Sequence, residues 1–188
     1  MKLQSIKAWS TAALLAGGLI ALPAMADTES VYYGNLVGSA TVATPLLTDD
    51  NLFIDTFTTE RGALNQITTF TIGADVTSFT GLATWAITTA AGPGPRLIGV
   101  DINIFDSNNN LVSSDTFAGV LAGFAHSTIG GPLLPGTYTL VATGNAIRDA
   151  SLDISISAIP EPGIYAMLLA GIGVLGLRRW REKNERFS

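Results

Sequence analysis

Between residues 27 and 158 the chain runs in short stretches of alternating apolar and polar residues, and turn-forming residues end nearly every stretch. A period of two sends successive side chains to opposite sides of an extended strand, so each stretch can bury one face and wet the other. The stretches are residues 31–37, 51–58, 66–72, 76–79, 83–88, 97–105, 111–117, 137–143 and 152–158. Threonine, valine, isoleucine and aromatic residues fill them, as suits a half-buried pleated surface. The separators include Gly92-Pro93-Gly94-Pro95, Ser107-Asn108-Asn109-Asn110 and Gly130-Gly131-Pro132, all strong turn formers. Eight or so strands at this spacing predict an all-β fold, an antiparallel β-sandwich of jelly-roll type. Residues 118–130 fit two patterns, because Val120, Leu121 and Phe124 also match one helical turn.

About 130 residues is enough for one domain with a single core and too few for two. From Asp27 to Pro162 there are 13 acidic side chains against three arginines, Arg61, Arg96 and Arg148, a net of −10. The whole-chain value of −5 conceals this, since both chain ends are basic. Such a domain repels nucleic acid and anionic membrane surfaces, and no nucleic-acid partner is expected. There is no cysteine, so the core must hold the domain without disulfides.

The two ends read as handling signals. At the start, Lys2 and Lys7 precede an apolar stretch over residues 12–22, followed by Ala24-Met25-Ala26, an A-x-A cleavage site. Residues 1–26 are therefore expected to be a secretory signal peptide, removed by signal peptidase before Asp27. At the other end stand Pro160-Glu161-Pro162, then an apolar run over 164–177, then Arg178-Arg179-Trp180-Arg181. The prolines end whatever regular structure precedes them. Fourteen residues of helix span only about 21 Å, short for a hydrocarbon core of about 30 Å, and the arginines hold the far end on the cytoplasmic side. A short transmembrane helix at 164–177 with a basic stop suits a transient inner-membrane anchor.

This three-part tail resembles the PEP-CTERM sorting signal of bacterial exported proteins, over residues 159–188. Pro160, Glu161 and Pro162 stand at the family's motif, and Arg178, Arg179 and Arg181 at its basic terminus. The resemblance implies processing by exosortase, a membrane-embedded sorting enzyme, and an association with exopolysaccharide. In the domain, Phe53-Ile54-Asp55-Thr56-Phe57 is similar to the mark of a PEP-CTERM subgroup named for its F-x-D-x-F sequence. Alternation puts Phe53, Asp55 and Phe57 on one strand face. The expected role of Asp55 is structural, pinning a loop by accepting backbone N–H groups; a metal or glycan ligand is the sharper alternative.

Other chemistry is thinly supplied. Asp106, Asn108 and Asn110 begin like a calcium loop, but Leu111 stands where glycine is needed and Phe117 where the closing glutamate belongs. An asparagine-rich hairpin turn is the simpler reading, with calcium as the alternative and no other cofactor expected. The string from Leu97 to Asp106 also resembles β-sandwich appendages found beside secreted peptidases. His126 is the single histidine, which rules out a histidine-rich zinc site, and no serine lies in a G-x-S-x-G elbow. Gly92-Pro93-Gly94-Pro95 lacks the Lys-Ser/Thr companion of a phosphate loop. Trp85 is expected in the core rather than as a sugar-stacking platform. The expectation is an exported, exosortase-processed, non-catalytic protein of the cell surface or extracellular matrix, structural or adhesive in biofilm. The alternative is a secreted carbohydrate-binding or carbohydrate-active sandwich.

Overall fold

The computed structural model describes residues 26–87, 96–160 and 171–173. They form β1 (Thr28–Tyr33), β2 (Val37–Thr41), β3 (Asn51–Thr58), β4 (Gly62–Ile72), β5 (Val76–Ala86), β6 (Leu97–Asp106), β7 (Leu111–Ser114), β8 (Thr116–Leu121), β9 (Phe124–Pro132), β10 (Gly136–Ala146) and β11 (Ala150–Pro160). Six strands make one sheet in the order β1-β3-β11-β5-β9-β8, and five make the other, β2-β4-β10-β6-β7. The two sheets enclose one core, as a β-sandwich does.

The all-β expectation is met, but the sheets are mixed rather than antiparallel. β1 pairs parallel with β3, and β2 parallel with β4. The cause is the path of the chain, which crosses from one sheet to the other after each of its first three strands. Each crossing reverses direction. Two crossings return the chain to its starting sheet in its original sense, so neighbouring strands joined this way run parallel.

Facing side chains fill the interior. Leu52 and Ile54 of β3 with Leu152, Ile154 and Ile156 of β11 meet Phe70, Ile102, Ile104 and Leu140 of the other sheet, none more than 1% exposed. Nine such side chains at about 1.5–3 kcal/mol each supply the main drive for closing the two layers. Trp85 is in this core, its ring 6.3 Å from that of Phe117, as expected for it. Near the β1–β2 crossing the core turns polar, and each group finds a partner. The Thr56 hydroxyl donates across the sandwich to Gln66 Oε1 at 2.7 Å, and Gln66 Nε2 donates to the Asn35 carbonyl at 2.9 Å. The Tyr33 hydroxyl donates to the Ile67 carbonyl at 2.8 Å.

Several boundaries differ from expectation. The two short stretches 76–79 and 83–88 are one strand, β5, with Gly81 at its centre. A Cβ on Gly81 would come within 2.8 Å of both Ile129 Cγ2 and the Ser155 carbonyl, so this glycine admits close neighbours rather than a turn. The region that also matched a helical turn is the β8–β9 hairpin, with a bulge between Phe117 and Gly119. Stretch 31–37 divides into β1 and β2 at Gly34-Asn35, and 111–117 divides at Asp115.

Candidate functional site

The outer face of the six-stranded sheet collects the polar chemistry. Residues paired across neighbouring strands of a sheet lie side by side on the same face. Tyr32 of β1 pairs with Asp55 of β3, Asp55 with Asp153 of β11, Asp153 with Thr84 of β5, and Thr84 with His126 of β9. These five residues, drawn from five strands, form one row across the sheet. Phe53 and Phe57 lie two residues to either side of Asp55 on the same outer surface. Tyr32, Phe53 and Phe57 are 68, 38 and 52% exposed, so an aromatic cluster surrounds the carboxylate in the open.

A shallow hollow of about 190 Å³ lies between Phe53, Leu82 and the two carboxylates, with Thr84 and Ser155 in its lining. Burial against the sheet, and secondarily the charge of Asp55, push the Asp153 carboxyl above its ordinary value. Two like charges directly opposite each other destabilise a strand pair, and a hydroxyl or cationic ligand placed between them would relieve that. At the end of the row, Thr84 Oγ1 lies 3.1 Å from His126 Nδ1.

The F-x-D-x-F residues are therefore together, but Asp55 occupies mid-strand on an exposed surface rather than a loop. The loop-pinning role expected of it belongs to other aspartates. Asp50, only 6% exposed, accepts from the Leu47 and Asp27 backbone N–H groups at 2.7 Å each. Asp115 accepts from the Ile102 N–H at 2.9 Å. Asp106 accepts from the Asn108 and Asn110 N–H groups and from Asn110 Nδ2. The side-chain and then the backbone hydrogen bond from Asn110 hold the Asp106 carboxyl below its usual range. The asparagine-rich segment is thus a hairpin turn between β6 and β7, with Asn109 at φ 62°. Among the described residues no group of three or more histidine, cysteine, aspartate or glutamate side chains is placed to hold a metal ion.

Sequence reading did not find Asp153, and it did not connect Thr84 or His126 with the motif. Only strand register joins them, and the nearest of these pairings spans 42 residues. His126 is half-buried within β9.

At the C-terminal end, Pro160 closes β11. Glu161, Pro162, Arg178, Arg179 and Arg181 lie outside the described residues, as do Ala24 and nearly all of the expected signal peptide; Ala26 is exposed just ahead of β1. Of the expected span 164–177 only 171–173 are described, and these are helical. Among the described residues no helix is long and apolar enough to cross a membrane.

Residues 158–182 match the PEP-CTERM protein-sorting motif. The motif indicates an exosortase-targeted, exported protein that undergoes membrane-associated sorting. No curated protein matches the chain. Among solved structures, the pre-peptidase C-terminal domain of a collagenase from Bacillus anthracis is similar. It is 11% identical, over 63% of this chain and 94% of that one, with a TM-score of 0.36.

Proposed function

We propose that this exported protein is a non-catalytic, adhesive component of the cell surface or extracellular matrix that holds neutral polysaccharide on the outer face of its six-stranded sheet. On this reading signal peptidase removes residues 1–26 and exosortase processes the tail after a transient stay in the inner membrane. The Phe53-Asp55-Phe57 pattern is then the mark of its subgroup and part of its binding surface. The observation that carries the proposal is the exposed cluster of Tyr32, Phe53 and Phe57 around the Asp55–Asp153 pair.

The chemistry suits sugars. An exposed aromatic ring offers a flat apolar surface for the C–H face of a pyranose, and Tyr32 adds a hydroxyl at its rim. Ionised carboxylates accept strong hydrogen bonds from sugar hydroxyls. The net charge of −10 over the domain turns away polyanions, which selects uncharged chains.

Affinity electrophoresis of the processed protein through gels containing neutral or anionic polysaccharides tests this. Retardation by neutral chains, weakened in Phe57→Ser and Asp55→Asn, is the expected result. No retardation in any gel would refute the binding reading. Release of reducing ends would instead identify the carboxylate pair as a hydrolase centre and end the non-catalytic one.

A further inference from the structure

The strand that opens the domain, β1, is tied down by the residue just ahead of it. Asp27 N–H donates to Asp50 Oδ1 at 2.7 Å, Asn51 N–H donates back to the Asp27 carbonyl at 3.0 Å, and Asp27 Oδ1 accepts from the Thr28 N–H at 2.8 Å. Asp50 is almost fully buried, and its second oxygen takes the Leu47 N–H at 2.7 Å. Its own backbone is fixed too, with the Asp50 carbonyl accepting from Ala158 N–H in β11 at 3.0 Å. A buried carboxylate therefore sits, rigidly held, at the bond where a signal peptide would be cut. While the Ala26–Asp27 peptide bond is intact, Asp50 meets a neutral amide there. A buried carboxylate gains far more from a cation than from an amide.

We propose that Asp50 is the receptor for the chain end that processing creates, so that cleavage before Asp27 locks β1 onto the sheet. Water adds across the Ala26–Asp27 bond, the leaving peptide keeps the new carboxylate on Ala26, and Asp27 keeps the amine, which takes up a proton. The nitrogen that was an amide donor becomes an α-ammonium 2.7 Å from Asp50 Oδ1 without any movement of β1. The pairing demands this one cleavage position, because a chain one residue longer carries its charge about 3.5 Å away. It rests on the signal-peptide reading but not on the polysaccharide one. The mature domain is consequently more stable than any form with its N-terminus extended.

The test compares the processed protein from its native host with a variant carrying one serine inserted between Ala26 and Asp27. Mass spectrometry fixes each start. Residues 27–162 contain no lysine, so in that stretch the α-amine is the only amine that an amine-selective acylating reagent can modify. The natural chain should begin at Asp27, and its α-amine should acylate on the order of tenfold more slowly than that of the extended chain. The extended chain should melt about 5 °C lower. An Asp50→Asn protein, if it folds, should acylate as fast as the extended one. Equal melting temperatures and equal acylation rates for the two starts would overturn the lock. A natural chain that starts elsewhere would overturn it by removing the cleavage reading, which mass spectrometry alone distinguishes.

Discussion

Alternate residues of β3 belong to two different surfaces. Leu52, Ile54 and Thr56 point into the sandwich at 0, 1 and 2% exposure, while Phe53 and Phe57 stand outside at 38 and 52%. Packing accounts for the first set completely, since each inward side chain meets the opposing sheet. It accounts for none of the second. Two phenylalanines and a tyrosine stand exposed beside a pair of opposed carboxylates, and none of the described residues covers the rings. Isolated exposed apolar residues are ordinary, but an aromatic cluster around a charge row marks a surface shaped for something else.

The contrast predicts a graded series of effects. Ile154→Ala, on the inner face of β11 at 1% exposure, should cost about 2–5 kcal/mol in chemical denaturation, because it opens a cavity between the sheets. A cost under 1 kcal/mol would show that the two layers do not depend on each other. Ser127→Ala should act in the opposite direction. Its Oγ is fully buried with no hydrogen-bond partner among the described residues, and removing it should stabilise the fold by about 1 kcal/mol.

On the outer face the effects are smaller. The Asp153 carboxyl is raised in the folded state, so the native protein holds a proton that the unfolded chain has already released. Stability therefore falls as pH rises from the ordinary aspartate value through the raised one. Asp153→Asn should remove that slope and add about 0.5 kcal/mol at neutral pH, a modest gain because solvent screens this partly exposed pair. A steeper slope in the variant would reverse the assignment. Phe57→Ser should change stability by no more than about 0.5 kcal/mol while weakening retention by neutral polysaccharide. A large loss of stability would make this ring structural and remove the functional distinction between the two faces.

The sequence carried the strands that alternate cleanly. Residues 51–58 and β3 coincide, and β10 and β11 extend their expected stretches by one to three residues at either end. β9 escaped because Gly130 and Gly131 read as a turn, whereas both lie within the strand. Stretches 76–79 and 83–88 were separated, whereas β5 runs unbroken through Gly81. The parallel pairs were hidden for a different reason. Alternation fixes which side of a strand is wet and says nothing of its neighbour, so β1 beside β3 is settled only by the chain's path between sheets. For the candidate site, Phe53, Asp55 and Phe57 were visible as a motif, while Asp153 was not, since only register brings it opposite Asp55.

β11 has a mechanical consequence. It is the last strand of the domain, yet it lies inside the six-stranded sheet with β3 on one flank and β5 on the other. The sorting tail leaves directly from its end. A pull on that tail, during membrane processing or from whatever later grips the C-terminus, cannot peel a strand from an open margin. It must shear two hydrogen-bond ladders at once, so tension on the tether is spread through the middle of the sheet.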